Sequence, residues 1–142
     1  MAETNGPHQF GLYFGTDKTG VTLQGVDAAG AAITSYDNVA ATVNTNATNN
    51  FGVSGIFVEG DSVAIKGLQI GPNTNGDNKT VEIIGDGFTL QNCKIDFNGG
   101  CVYFGDWAPT ATTSHIASYT VDSNYFGDGA FISISNGAGL SG

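Results

Sequence analysis

The sequence predicts an all-β fold, a solenoid of about four to five stacked coils. Three observations point there. Related segments recur along the chain, two of them without a gap. Inside each segment apolar residues alternate with a period of two, as on a strand with one buried face. Gly, Asp and Asn punctuate every segment where a tight turn is needed. A helical reading fails, because the period is wrong and β-branched residues abound. A β-sandwich also uses short strands, but it would not repeat at one offset with the same turn residues. Leucine-rich repeats would need a Leu and Asn pattern that is absent.

The first segment runs Gly11-Leu12-Tyr13-Phe14-Gly15-Thr16-Asp17, then two extra residues, then Gly20-Val21-Thr22-Leu23-Gln24-Gly25-Val26. The second is Gly55-Ile56-Phe57-Val58-Glu59-Gly60-Asp61-Ser62-Val63-Ala64-Ile65-Lys66-Gly67-Leu68-Gln69-Ile70. The third is Thr80-Val81-Glu82-Ile83-Ile84-Gly85-Asp86-Gly87-Phe88-Thr89-Leu90-Gln91-Asn92-Cys93-Lys94-Ile95. A fourth is split, Cys101 to Asp106 and then Tyr119 to Phe126, and a fifth begins at Ala130-Phe131-Ile132-Ser133-Ile134. Each unit reads as two short strands about a Gly-Asp turn, followed by Gly, Ser or Asn and two more apolar residues. Ile56, Val58, Val63, Ile65, Leu68, Ile70, Val81, Ile83, Phe88, Leu90, Cys93 and Ile95 share one parity and should fill a common bore. The opposite parity of the first strand carries Tyr13, Phe57 and Val102 in one column and Ile84 and Phe104 in the next, relieved by Glu59 and Glu82. A single unit cannot bury its own apolar face, so units must stack. The segments 27–54 and 107–118 break the period, and insertions in a solenoid form loops over one face, often the binding face.

This order of strand, turn, strand, small polar residue and apolar pair resembles the right-handed parallel β-helix family of pectate-lyase-like proteins, over roughly residues 10–136. The resemblance implies a right-handed parallel β-helix and a link to polysaccharides. It does not imply one activity, since the fold hosts several chemistries. The family's lyases usually supply Arg or Lys to neutralise a uronate, often with Ca²⁺ held by Asp and Glu. Its polygalacturonase-like branch carries adjacent Asp pairs and a Gly-His-Gly segment. This chain has no Arg, Asp128 is followed by Gly129, and neither His8 nor His115 is flanked by glycines. Lys66 and Lys94 fall at different registers and read as surface lysines.

Composition narrows the partners. The chain has 142 residues, fitting one domain over 1–142, read as a piece of a longer protein. Thirteen acidic residues face four lysines, a net charge of −9. That disfavours nucleic acid, which is held by clustered Lys and Arg. No apolar run reaches the roughly 18–20 residues of a membrane span, so no membrane insertion is expected. The first residues have neither the basic region nor the apolar core of a signal peptide. Cys93 and Cys101 both fall in strand-like runs and read as buried free thiols ahead of a disulfide.

Several residues are candidates for chemistry. Asp61, Asp86 and Asp106 take the same position in successive units, with Asp17 as a fourth member. At a rung spacing of roughly 4.8 Å their charges repel, unless each accepts a turn N–H or a cation sits between them. Ca²⁺ is thus a possible cofactor of Asp61, Asp86 and Asp106, though it would need about six to eight oxygens. Tyr36 and Asp37 in one insertion, and Asp106 with Trp107 and His115 at the other, are candidate carbohydrate contacts. Aromatic rings stack on the apolar face of a sugar and carboxylates take its hydroxyls. His115 could also serve as a base. Thr22, Thr89 and Thr120 form a column broken by Ala64, too irregular for an ice-binding array. Asn46-Ala47-Thr48 and Asn78-Lys79-Thr80 match the glycosylation pattern.

The expected function is a non-catalytic extracellular or cell-surface module for carbohydrate recognition or a structural role, with a polysaccharide or glycan as partner. The alternatives are a fragment of a polysaccharide lyase or glycoside hydrolase acting on acidic polysaccharide, and a self-assembling interaction module. The last expects a homo-oligomer, because the chain stops within a fifth unit with no terminal cap in view and open strand edges invite pairing.

Overall fold

Each repeat unit folds into three short strands, and like strands of successive units lie side by side. The computed structural model describes residues 3–5, 8–44, 54–71, 79–96, 100–105 and 114–135. The first unit holds β2 (His8–Phe14), β3 (Thr22–Gln24) and β4 (Thr42–Val43), preceded by β1 (Glu3–Asn5). The second holds β5 (Ser54–Val58), β6 (Ala64–Lys66) and β7 (Gln69–Ile70), and the third β8 (Lys79–Ile83), β9 (Phe88–Gln91) and β10 (Lys94–Asp96). The fourth holds β11 (Cys101–Phe104), β12 (Tyr119–Asp122) and β13 (Tyr125–Gly127), and β14 (Phe131–Ile134) begins a fifth. The first sheet runs β1-β2-β5-β8-β11-β14, the second β3-β6-β9-β12 and the third β4-β7-β10-β13. The chain is all-β, its stacked parallel sheets compatible with a β-helix. Among the described strands only the β1–β2 pair is antiparallel.

The two gapless segments pair as the repeat requires, with Ile56 opposite Val81, Ile65 opposite Leu90 and Gln69 opposite Lys94. The sequence reading gave each unit two strands and an apolar pair, so the third strand entered it only as that pair, with Cys93 in a strand-like run. The third strand is only two or three residues long, and β4 lies inside the segment that breaks the period.

Two corners per unit explain the punctuation. Gly20, Ser62 and Gly87 turn the chain from the first sheet to the second, with φ of 71°, 56° and 67°. Gly67, Asn92 and Ser123 turn it from the second to the third, with φ of 63°, 56° and 54°. The left-handed region costs an ordinary L-residue about 1–2 kcal/mol, so Gly and small polar residues collect there.

The twelve residues predicted to fill the bore are all buried, none more than 4% exposed. They form one cluster with Phe14, Val102, Phe104 and Ile116. Val102 and Phe104 thus correct the sequence reading, which turned them outward. β11 pairs with Val102 opposite Val81 and Phe104 opposite Ile83, after a register shift between Cys101 and Val102. Thr80 is the extra residue, and its Oγ1 accepts the Cys101 N–H at 3.1 Å. Tyr103, opposite Glu82, points outward instead. Phe57 and Ile84 do lie outside the bore, yet both are fully buried with Tyr13 against them, its ring stacked on Phe57 at 5.8 Å. Glu59 and Glu82 on this face are buried too, and Glu59 accepts the Tyr13 hydroxyl.

Cys93 and Cys101 are buried free thiols. Burial pushes both thiols up, Cys101 to about 11, so neither is thiolate near neutral pH. At one end of the stack, β1 pairs along the edge of β2. Large exposed apolar side chains gather in the fourth and fifth units: Tyr119, Tyr125, Phe131, Ile132 and Ile134.

Candidate functional site

The third sheet carries a groove that unites aromatic and polar side chains. Its strands put Val43, Ile70, Ile95 and Phe126 into the core. The intervening positions Thr42, Gln69, Lys94 and Tyr125 are in register and form an outward column across four units. At roughly 4.8 Å per strand this column spans about 14 Å.

The segment between β3 and β4 arches over that column. Asp27 starts it, its carboxylate accepting the N–H groups of Ala29 at 2.8 Å and Ala31 at 2.9 Å. Ile33, 7% exposed, anchors it to the first unit, its N–H donating to Gly25 O at 2.9 Å. A 3-10 turn at Tyr36–Asn38 follows, capped by Ser35, whose Oγ accepts the Asp37 N–H at 3.3 Å. Tyr36 comes before β4 in sequence, yet its ring reaches Tyr125 on β13, with centroids 5.8 Å apart and planes tilted by 32°. The arch therefore crosses the sheet face from one edge to the other.

Between arch and sheet lies a groove of about 310 Å³ lined by Tyr36, Asp37, Val39, Gln69, Lys94 and Tyr125. This is near the low end of small-ligand sites, roughly 300–1,000 Å³. Lys94 Nζ stands 3.3 Å from an Asp96 carboxylate oxygen and 5.5 Å from the Tyr125 ring centroid. Aromatic faces, two amide or ammonium donors and a carboxylate acceptor are the groups that hold a polyhydroxylated ring.

Of the predicted contacts, Tyr36 and Asp37 meet here. Gln69, Lys94 and Tyr125 were missed as site residues because the strands that align them were read only as apolar pairs. Their outward parity relative to Ile70, Ile95 and Phe126 was the available signal. Asp106 and Trp107 lie outside the described residues, as do Asn46, Thr48 and Asn78 of the glycosylation patterns. His115 is not in the groove. It sits at the corner between the first and second sheets, its Nε2 2.8 Å from Asp61 Oδ1.

That corner holds the aspartate column. Asp61 Oδ1 accepts the Asp86 N–H at 2.9 Å, one repeat of 25 residues on. Asp86 Oδ1 accepts the N–H groups of Ala117 at 2.9 Å and Ser118 at 2.6 Å, and the Ser118 hydroxyl at 3.2 Å. The two carboxylates thus bind turn N–H groups of the following unit. Asp17 does not join them: Gly20 N–H donates to Asp61 O as Ser62 N–H donates to Asp86 O, which puts Thr19 level with Asp61. The Asp17 carboxylate pairs with Lys18 instead. Among the described residues no three His, Cys, Asp or Glu side chains gather into a metal site. Asp61 and Asp86 do not by themselves fit the oxygen-rich shell of Ca²⁺. The threonine column is in register as expected, Thr22, Ala64, Thr89 and Thr120, with Gln91 bonded to Asp122 beside it.

These bonds have a consequence for stability. The Asp86 N–H holds the Asp61 carboxyl below its usual range, aided by His115, and the Ser118 and Ala117 N–H groups do the same for Asp86. A carboxyl whose folded pKa is depressed stabilises the fold fully above its unfolded value, and that contribution is lost as pH falls through the folded one. The thermal midpoint should therefore drop on acidification below about pH 5. Asp86→Asn should be less stable at neutral pH and show a shallower acid slope. Equal slopes for the two proteins in a melting series would contradict this role.

Comparison with protein-family models, curated proteins and solved structures returns no match for this chain. The case for function therefore rests on the groove. No helix among the described residues is long and apolar enough to cross a membrane.

Proposed function

We propose that this chain is a right-handed parallel β-helix module that recognises carbohydrate outside the cell without cleaving it. The observation that carries the reading is the Tyr36–Tyr125 wall beside Asp37, Gln69 and Lys94 in one groove. Tyrosine rings offer rigid apolar faces at little entropic cost, which suits the C–H face of a pyranose. The neighbouring polar groups match hydroxyls in both hydrogen-bonding senses. An open groove on a sheet face also suits a polymer passing through it better than a small molecule enclosed by it. The lyase alternative draws less support, because the groove offers one Lys and no Arg to a uronate.

A glycan array tests the proposal. The chain should retain at least one oligosaccharide class, and Tyr36→Ala and Tyr125→Ala should each weaken retention by about tenfold, near 1.4 kcal/mol. Both rings are partly exposed, so each variant should keep its fold by circular dichroism. Retention indifferent to both substitutions would place any binding elsewhere, and product released from the polymer would show an enzyme.

A further inference from the structure

We infer that the groove selects neutral glycans over uronate polymers, a specificity that rests on the carbohydrate reading above. One ammonium, Lys94, is accompanied by two carboxylates, Asp37 in the lining and Asp96 next to it. Lys94 is already engaged twice, by Asp96 at 3.3 Å and by the Tyr125 ring at 5.5 Å. A uronate carboxylate arriving at Lys94 must share the ammonium with Asp96 and stand near both Asp96 and Asp37, like charges that repel it. The chain as a whole carries −9, so an acidic polymer is also repelled on approach. A neutral sugar meets none of these costs. Its hydroxyls take hydrogen bonds from Gln69 and Lys94 and give them to Asp37, while its C–H face lies on the tyrosines.

The backbone builds this counter-charge in. Asp96 and Gly127 are in register on β10 and β13. A Cβ at Gly127 would stand 2.4 Å from Asp96 Oδ1, 2.5 Å from Tyr125 Cε1 and 2.8 Å from its hydroxyl oxygen. A side chain there would make the carboxylate or the ring shift aside. Gly127 thus leaves room for the Asp96 carboxylate and the Tyr125 ring side by side next to Lys94.

Titration with neutral and uronate hexasaccharides tests the inference, using gluco-, xylo- and manno-oligomers against galacturonate and mannuronate oligomers. A neutral oligomer should bind at least about tenfold more tightly than any uronate, with little dependence on salt. Asp96→Asn frees Lys94, so it should raise uronate affinity, most at low salt, where screening is weakest. Two outcomes overturn the inference and leave carbohydrate recognition standing: preferred uronate binding that Lys94→Met abolishes, or uronate affinity unmoved by Asp96→Asn. Binding of no oligomer from either class overturns the carbohydrate reading itself.

Discussion

Replacing Phe88 by Ala should destabilise the chain by about 3–5 kcal/mol, a large part of the stability of most domains. Phe88 is fully buried on β9, and its ring meets Phe104 edge-on at 6.1 Å with planes at 68°. Phe104 in turn lies 4.4 Å from the Tyr119 ring. Truncation removes a wall shared by the third and fourth units and leaves a void that parallel strands, fixed by their ladders, cannot close. The loss therefore belongs at the upper end for core truncations. Ile65→Ala, with one unit on either side, should cost about 2–5 kcal/mol. Urea titration gives both numbers. A loss below about 1 kcal/mol at Phe88 would mean that the bore is not the tightly packed core described.

The second large effect is expected where a methyl group has nowhere to go. A Cβ at Gly25 would stand 1.9 Å from Gly67 O, 2.7 Å from Gly67 C and 3.1 Å from Leu68 Cδ2. The first two are backbone atoms at a corner with φ of 63°, and a Cβ at Gly67 would itself strike Ile33. Gly25→Ala must therefore push apart the first and second units, where Gly25 N–H donates to Lys66 O at 2.8 Å and Gly25 O accepts from Ile33 N–H. We expect a cost of about 1–3 kcal/mol or more from overpacking. The arch is anchored at Ile33, so glycan retention should fall with stability. Gly30 is the control. Its φ is 83°, but nothing lies within 4 Å of a Cβ there. Gly30→Ala should cost only the left-handed strain, about 1–2 kcal/mol, and leave retention intact. Equal melting points and equal retention for the two variants would refute the account.

How much of this could be read from the sequence follows from the length of each signal. The bore was legible because Ile56, Val58, Val63 and Ile65 have direct counterparts in Val81, Ile83, Phe88 and Leu90 at one offset. Parity over two strands then left little freedom. The third strands were legible only as apolar pairs, since a strand such as Gln69-Ile70 cannot display a period. The groove was hidden with them. Tyr36 and Asp37 could be picked as an aromatic beside a carboxylate in an insertion. Their meeting with Lys94 and Tyr125 depends on where an arch of irregular chain lands, which no local pattern encodes. Asp61 and Asp86 were legible as neighbours one repeat apart, and the two ways of holding their charges followed from electrostatics. The N–H groups that Asp86 accepts come from residues 117 and 118, far along the chain, and no local pattern announced them. Val102 and Phe104 were misread because alignment without gaps carried the parity of the third unit one residue too far.

That misreading leads to how such a chain tolerates change in length. Losing or gaining one residue in a strand reverses every side chain beyond it, and in the bore this would exchange a packed interior for a polar one. At Thr80 the extra residue is confined to one position. Its hydroxyl takes the N–H that lost its ladder partner, and Val102 and Phe104 regain the interior at once. A one-residue change of length should therefore be tolerated at Thr80, and elsewhere only in the arch between β3 and β4 or by whole repeats.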